Sequence, residues 1–147
     1  MRYTQAQQRA IDTRGRNILV AAAAGSGKTR VLVDRIIKQI LSGNCGIEEM
    51  LVVTFTNAAA TEMRERIEKA LERELEREMR EGKSGKRAER IERQMILLTG
   101  ASICTFHAFC QQVIRAHIES IDVDPQFRLA SDQEVSLLQQ DVLERLF

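Results

Sequence analysis

Asn17-Ile18-Leu19-Val20-Ala21-Ala22-Ala23-Ala24-Gly25-Ser26-Gly27-Lys28-Thr29 is an apolar run that enters a glycine-containing turn. Beyond it Val31, Leu32, Ile36, Ile37 and Ile40 recur at helical spacing as far as Gly43. The pattern predicts strand, loop and helix in that order. Positions 22 to 29 match the phosphate-loop pattern, except that Ala22 stands where a first glycine is usual. Glycines at positions 25 and 27 let backbone N–H groups turn inward around a phosphate, and the following helix presents its positive end to the same anion. In that geometry Lys28 would bridge β- and γ-phosphate oxygens, and the Thr29 hydroxyl would be a ligand of Mg2+.

The unit repeats along the chain. Met50-Leu-Val-Val-Thr-Phe55 reads as a buried strand, and Asn57 would cap a helix whose apolar stripe is Met63, Ile67, Leu71 and Leu75. Ile103-Cys-Thr-Phe106 reads as a third short strand, with Phe109, Val113, Ile114 and Ile118 as the stripe of its helix. Helices alternating with buried strands favour a parallel sheet and an α/β fold. Between these units, from Arg64 to Arg93, charges of both signs interleave, with Glu65 to Lys69, Glu76 to Arg80 and Glu89 to Arg93 at the favourable i, i+4 spacing. Such a stretch reads as a solvated helical face, with a DNA-binding arm as the other use of the same charges. Gly82-Lys-Ser-Gly85 predicts a break into two helices. Ser131-Asp-Gln-Glu134 has the form of a capping box, and Val135, Leu138, Val142 and Leu146 continue as an amphipathic helix up to Phe147.

With 147 residues the chain can hold one domain with a proper core but not two. Hydrophobic residues make up 44% and charged residues 29%, which fits a globular, helix-rich protein. The amino terminus lacks the apolar core of a signal peptide, and the run from Ile18 to Ala24 is too short to span a bilayer, so the expected location is cytoplasmic with no membrane partner. Cys45, Cys104 and Cys110 are an odd number without the close pairs of a zinc or redox motif, and are expected to be reduced packing residues. A net charge of +1 is no bulk signal for nucleic acid, so any such function must come from local motifs.

Three segments narrow the choice left open by the phosphate loop. Tyr3-Thr-Gln-Ala-Gln7-Gln-Arg-Ala10-Ile11 resembles the Q motif of superfamily 1 helicases. Val53-Thr54-Phe55-Thr56-Asn57-Ala-Ala-Ala-Thr-Glu62-Met63 resembles motif Ia of the UvrD/Rep branch nearly residue for residue, and Thr105-Phe106-His107-Ala-Phe109-Cys resembles its motif Ib. The loop with its preceding Leu19, Phe109-Cys-Gln-Gln-Val-Ile-Arg115 and Asp124-Pro-Gln-Phe-Arg128 look most like the AddA branch of that family, found in bacterial ATP-dependent helicase/nucleases. The resemblance covers nearly the whole chain and weakens only in the charged stretch from about Leu75 to Arg93, where no functional residue is carried over.

The resemblance implies an incomplete RecA-like domain over residues 1–129, with residues 130–147 opening a helical inserted subdomain. It implies ATP and Mg2+ as cofactors, with Tyr3, Gln7, Ala22, Ala23, Ala24, Gly25, Ser26, Gly27, Lys28, Thr29 and Arg30 around the nucleotide. Lys28 and Thr29 carry the chemistry, and Thr29 holds the metal. The adenine edge offers a donor and an acceptor, and the Gln7 amide can meet both, although Gln7 read alone is an ordinary surface glutamine. Thr54, Phe55, Thr56, Asn57, Thr105, Phe106 and His107 are the implied DNA contacts. By their chemistry Phe55 can stack on a base while its polar neighbours bond phosphate oxygens. Without the resemblance, Phe55 suits a core position with Asn57 as a cap, and His107 between two phenylalanines suits a packing role.

An ATP-driven 3′–5′ DNA translocase, processing double-strand-break ends for recombinational repair, is thus the implied function. Its partners would be single-stranded and duplex DNA ends, the remainder of its own chain, and a second helicase/nuclease subunit of the AddB type. The Walker B acid, the sensor glutamine, the arginine fingers and an exonuclease domain are absent from these residues, so this stretch alone is expected to bind nucleotide without rapid turnover. A UvrD/Rep-type repair helicase without nuclease is the nearest alternative, and a small P-loop phosphotransferase a distant one that would need a lid rich in arginine.

Overall fold

Thr4 starts the first helix by a reciprocal cap. Its hydroxyl accepts from the Gln7 amide at 3.3 Å, while the Gln7 side chain accepts from the Thr4 amide at 2.9 Å. The resulting helix α1 runs Gln5–Asp12. In the computed structural model, which describes residues 3–82 and 85–146, α2 follows at Lys28–Ser42, β1 at Leu51–Thr54, α3 at Asn57–Arg80, α4 at Lys86–Leu98, β2 at Ser102–Thr105, α5 at Phe106–Ala116 and α6 at Asp132–Leu146. Single 3-10 turns lie at Ile47–Glu49 and Ile118–Ser120. The expected break between two helices lies between Arg80 and Lys86; Lys83 and Ser84 themselves fall outside the described residues.

The sheet of the described residues is a parallel pair, with Leu51 opposite Ser102, Val52 opposite Ile103, Val53 opposite Cys104 and Thr54 opposite Thr105. Helices α3 and α4 make the crossover that a parallel pair requires. One face of the pair, through Val52 and Ile103, joins a core built from Val33, Ile36, Ile37 and Ile40 of α2, Met63, Ile67 and Leu71 of α3, and Ile91 and Leu98 of α4. Ile40, Ile47, Ile67, Leu71 and Ile91 are wholly buried. Each such side chain contributes about 1.5–3 kcal/mol relative to exposure. Among the described residues no helix is long and apolar enough to cross a membrane.

Several local expectations are corrected. Residues 17–22 form no strand: a strand is a paired object, no described residue pairs with this run, and Leu19 is left 94% exposed. In α2 the buried residues are Val31, Val33, Ile36, Ile37 and Ile40, so Val31, Ile36, Ile37 and Ile40 stand as expected, while Leu32 is exposed and Val33 is buried in its place. Thr56, not Asn57, caps α3, its hydroxyl accepting from the Ala59 amide at 3.1 Å. Helix α5 stops at Ala116, leaving Val113 and Ile114 exposed and Ile118 in a 3-10 turn.

The charged stretch is not simply a solvated face. The pairs Glu65 to Lys69, at 3.8 Å, and Glu76 to Arg80, at 3.4 Å, form on the surface as the spacing predicts. Glu78, however, is buried against α4 and paired at 3.0 Å with Arg87. Gln94, also buried, accepts from the Ile47 amide at 2.6 Å and donates to Glu48 at 3.2 Å. The α3–α4 hairpin therefore has a polar seam as well as an apolar one.

Residues 110–147 form a compact unit of their own. In it the Arg115 guanidinium lies 5.6 Å from the Phe127 ring centroid. Glu134 accepts from the Ser131 amide at 2.8 Å, and the Ser131 hydroxyl accepts from the Glu134 amide at 3.4 Å, completing the expected capping box at the start of α6. Val135, Leu138, Val142 and Leu146 along α6 remain exposed.

Candidate functional site

The phosphate loop is shaped by its glycines: Gly25 and Gly27 take φ of 75° and 81°, a left-handed conformation that other residues adopt only with strain. Gly27 precedes α2 without any side-chain cap, and the first intrahelical bond runs from the Val31 amide to the Gly27 carbonyl at 3.0 Å. The first amides of α2 therefore lack helical acceptors, and the positive end of the helix faces the loop. Lys28 reaches back over the loop, its ammonium donating to the carbonyls of Ala22 at 2.6 Å and Ala23 at 2.8 Å. Thr29 is exposed on the first turn of α2.

Helix α1 is brought to this loop by polar contacts that the sequence does not announce. Arg35 of α2 donates to the carbonyls of Ala10 at 2.7 Å and Thr13 at 2.6 Å, gripping the end of α1. The Lys38 ammonium bonds Asp12 at 2.6 Å and holds that carboxyl below its usual range, with Gln8 adding a second hydrogen bond. Gln7 thereby meets the loop and donates to the Ser26 carbonyl at 3.1 Å. Tyr3 and Arg30 form a second link, with Arg30 Nε donating to the Tyr3 hydroxyl at 2.9 Å and the guanidinium 4.9 Å from the ring centroid. Asp34 lies 3.9 Å from Arg30, and burial pushes its carboxyl upward.

The structure thus collects Tyr3, Gln7, residues 22–29 and Arg30 in one place. Between α1 and the loop lies a cleft of about 620 Å3, bounded by Thr4, Gln7, Ala10, residues 18–22, Ser26 and Lys28. That volume suits a small-molecule ligand. The Ser26 hydroxyl is buried there without a hydrogen-bond partner. Neither Arg35 nor the Ser26 carbonyl left a mark in the sequence, because a helical arginine and a backbone oxygen carry no motif.

A second cluster forms at the carboxyl ends of the strands, where open α/β sheets place their ligands. Because Thr54 pairs with Thr105, the segments 54–57 and 105–107 leave the sheet side by side. Phe55 is 92% exposed and Phe106 61%, which removes Phe55 from the core position its neighbours also allowed. His107 is exposed too, with its ring edge-on to Phe106 at a centroid distance of 6.3 Å, so it does not serve as a packing residue. The threonines are otherwise engaged. Thr54 donates to the Thr56 carbonyl at 3.0 Å, Thr56 caps α3, and buried Thr105 accepts from the Ala108 amide at 3.2 Å to start α5. Phe55, Asn57, Phe106 and His107 are the groups that face solvent.

Glycine-shaped loop, helix amino terminus and parallel strand pair together define a P-loop protein of the α/β class. The profile of the UvrD/REP helicase N-terminal domain matches residues 3–147, and the chain belongs to that family. It is 53% identical over 145 residues to the A subunit of an ATP-dependent helicase/nuclease from Alkaliphilus oremlandii, 51% over 147 residues to that of Geobacillus thermodenitrificans and 50% over 148 residues to that of Clostridium perfringens. Each alignment covers 99% of this chain and 11–12% of the relative, so the chain spans about an eighth of the length of these relatives.

Proposed function

We propose that the chain is the amino-terminal part of an ATP-dependent DNA helicase/translocase of the AddA kind, working on DNA ends in the cytoplasm beside a second helicase/nuclease polypeptide and with an exonuclease elsewhere in its own chain. The observation that carries this reading is the presence, within one unit, of a glycine-shaped phosphate loop and of two exposed phenylalanines at neighbouring parallel strand ends. Phosphates fit the loop, because the first amides of α2 are uncapped and Lys28 has only exposed carbonyls to leave. ATP supplies the free energy of its terminal phosphate bond when bound. Lys28 would set its charge against the terminal phosphates of the nucleotide, and the Thr29 hydroxyl would offer one oxygen to Mg2+. Gln7 reads the adenine edge, and Tyr3 and Arg30 line the same side.

Single-stranded DNA then crosses the carboxyl ends of β1 and β2. Phe55 and Phe106 offer faces to bases, and Asn57 and His107 offer polar groups to the backbone. Residues 1–129 belong to the first RecA-like domain and residues 130–147 open its helical insertion. Closing a second RecA-like domain on the nucleotide and reopening it after hydrolysis would alternate the grip on DNA and drive motion 3′ to 5′. The test is unwinding by the full-length protein of a duplex with a 3′ single-stranded tail, with a 5′-tailed duplex and Lys28→Ala as controls. ATP-driven unwinding of the 3′-tailed duplex alone is expected, and its absence, or its survival in Lys28→Ala, would overturn the reading.

A further inference from the structure

We infer that Arg64 is a positioning residue for the DNA-binding edge, holding the Thr105–His107 segment in place beside Phe55 by clamping four main-chain carbonyls; the inference rests on the DNA reading above. Arg64 lies in α3, two turns beyond the segment 54–57, and is half-buried. Its guanidinium reaches the chain reversal between α4 and β2. Nη1 donates to the Leu98 carbonyl and lies 3.4 Å from that of Thr99, while Nη2 lies 3.2 Å from the Ala101 carbonyl and 3.3 Å from that of Ile103. Leu98 and Thr99 end α4, where orphan carbonyls gather the negative end of the helix. Ala101 leads into β2 and Ile103 lies within it.

No carboxylate among the described residues forms an ion pair with Arg64, and the hydrogen-bond acceptors of its guanidinium are main-chain carbonyls. Such use of a fixed planar fork suits arginine and not lysine, whose ammonium is a single point on a flexible stem. The consequence falls on β2. It is four residues long, and among the described residues its ladder partner is β1, which anchors it on one side. Arg64 supplies the anchor at its entrance, and two residues past Ile103 the chain reaches Thr105, Phe106 and His107. Since Arg64 lies in α3, the helix that directly follows Phe55 in the chain, the clamp ties one DNA segment to the other.

The experiment compares wild type, Arg64→Gln, Arg64→Lys and Phe55→Ala in the full-length protein, well below the thermal midpoint of each. It measures affinity for single-stranded oligonucleotide, the salt dependence of that affinity, and affinity for ATP. Loss of oligonucleotide affinity by about tenfold in both Arg64 variants, the scale of one misplaced stacking platform, with ATP affinity and salt slope unchanged, is the expected result. A slope reduced by about one would make Arg64 a direct phosphate contact and overturn the inference. So would a parallel loss of ATP and oligonucleotide affinity, which a merely structural residue gives, or full DNA affinity in Arg64→Lys. Failure of wild type to bind, or an unaffected Phe55→Ala, would instead remove the DNA reading itself.

Discussion

The side-chain amide of Gln7 donates to the Ser26 carbonyl at 3.1 Å while its oxygen accepts from the Thr4 amide at 2.9 Å, so one residue both caps α1 and touches the phosphate loop. Each end of the amide keeps one further site, a lone pair and an N–H, which together still match an adenine edge. Gln7→Ala should therefore cost helix and nucleotide together: about 1 kcal/mol of stability from the lost cap, and a weaker affinity for ATP. Gln7→Glu keeps the acceptor for Thr4 but turns an oxygen towards the Ser26 carbonyl, and should lower ATP affinity with α1 intact. Nucleotide titration and thermal melting on both variants check this; ATP affinity equal to wild type in Gln7→Glu would detach Gln7 from the nucleotide.

Lys28→Ala should leave the fold alone. The carbonyls of Ala22 and Ala23 are exposed, so water replaces the ammonium, and the change in stability should stay within about 0.5 kcal/mol. ATP hydrolysis by the full-length protein should fall by about a hundredfold or more, the loss seen when a preorganised charge-stabilising donor is removed. Steady-state hydrolysis beside a melting curve distinguishes the two effects.

Phe55 and Leu71 make a contrasting pair, the first 92% exposed and the second wholly buried. Phe55→Ala should weaken single-stranded DNA binding by about 1–3 kcal/mol and barely move the thermal midpoint. Leu71→Ala should cost about 2–5 kcal/mol of stability and leave DNA affinity per folded molecule unchanged. A large drop in midpoint for Phe55→Ala would return the ring to a packing role.

Arg87→Ala should destabilise the α3–α4 hairpin by about 2–3 kcal/mol, because it strands the carboxylate of Glu78, which is 3% exposed, without a partner. The figure sits below that for a fully buried pair because Arg87 is half exposed. Arg80→Ala, which breaks only the surface pair with Glu76, should fall within about 1 kcal/mol. Denaturant unfolding of the two variants gives the comparison; equal effects would mean the buried carboxylate finds another partner.

Glu134 provides a dependence on pH. Arg128, through a forked pair, and then the Ser131 amide and hydroxyl hold its carboxyl down at about 2. A carboxyl whose folded value lies below its unfolded one stabilises the fold above the unfolded value and loses that support as pH falls through the folded one. The first turn of α6 should therefore loosen as pH falls from about 4.5 to about 2. Circular dichroism of wild type against Glu134→Gln should show a step in this window in wild type alone, and identical curves would place the acid response elsewhere.

Local features were determined by the sequence alone wherever one segment holds all the partners it needs. The glycines of the phosphate loop, the capping boxes at Thr4 and Ser131 and the glycine break after Arg80 are satisfied within a few residues, and the stripe of Met63, Ile67 and Leu71 announces itself by its helical period although its packing partners are distant, so all of these were legible. The tertiary structure alone settled what depends on distant partners. Residues 17–22 carry the composition of a strand yet have no described neighbour to pair with, because a strand is defined by a ladder and not by its own residues. Phe55 carries the composition of a core residue yet points into solvent, because its exposure depends on where the paired strand ends. The grips of Arg35 on α1 and of Arg64 on the α4–β2 reversal run from a side chain to main-chain carbonyls 22 to 39 positions away. A carbonyl belongs to every residue alike, so no pattern of side chains could have named these contacts in advance.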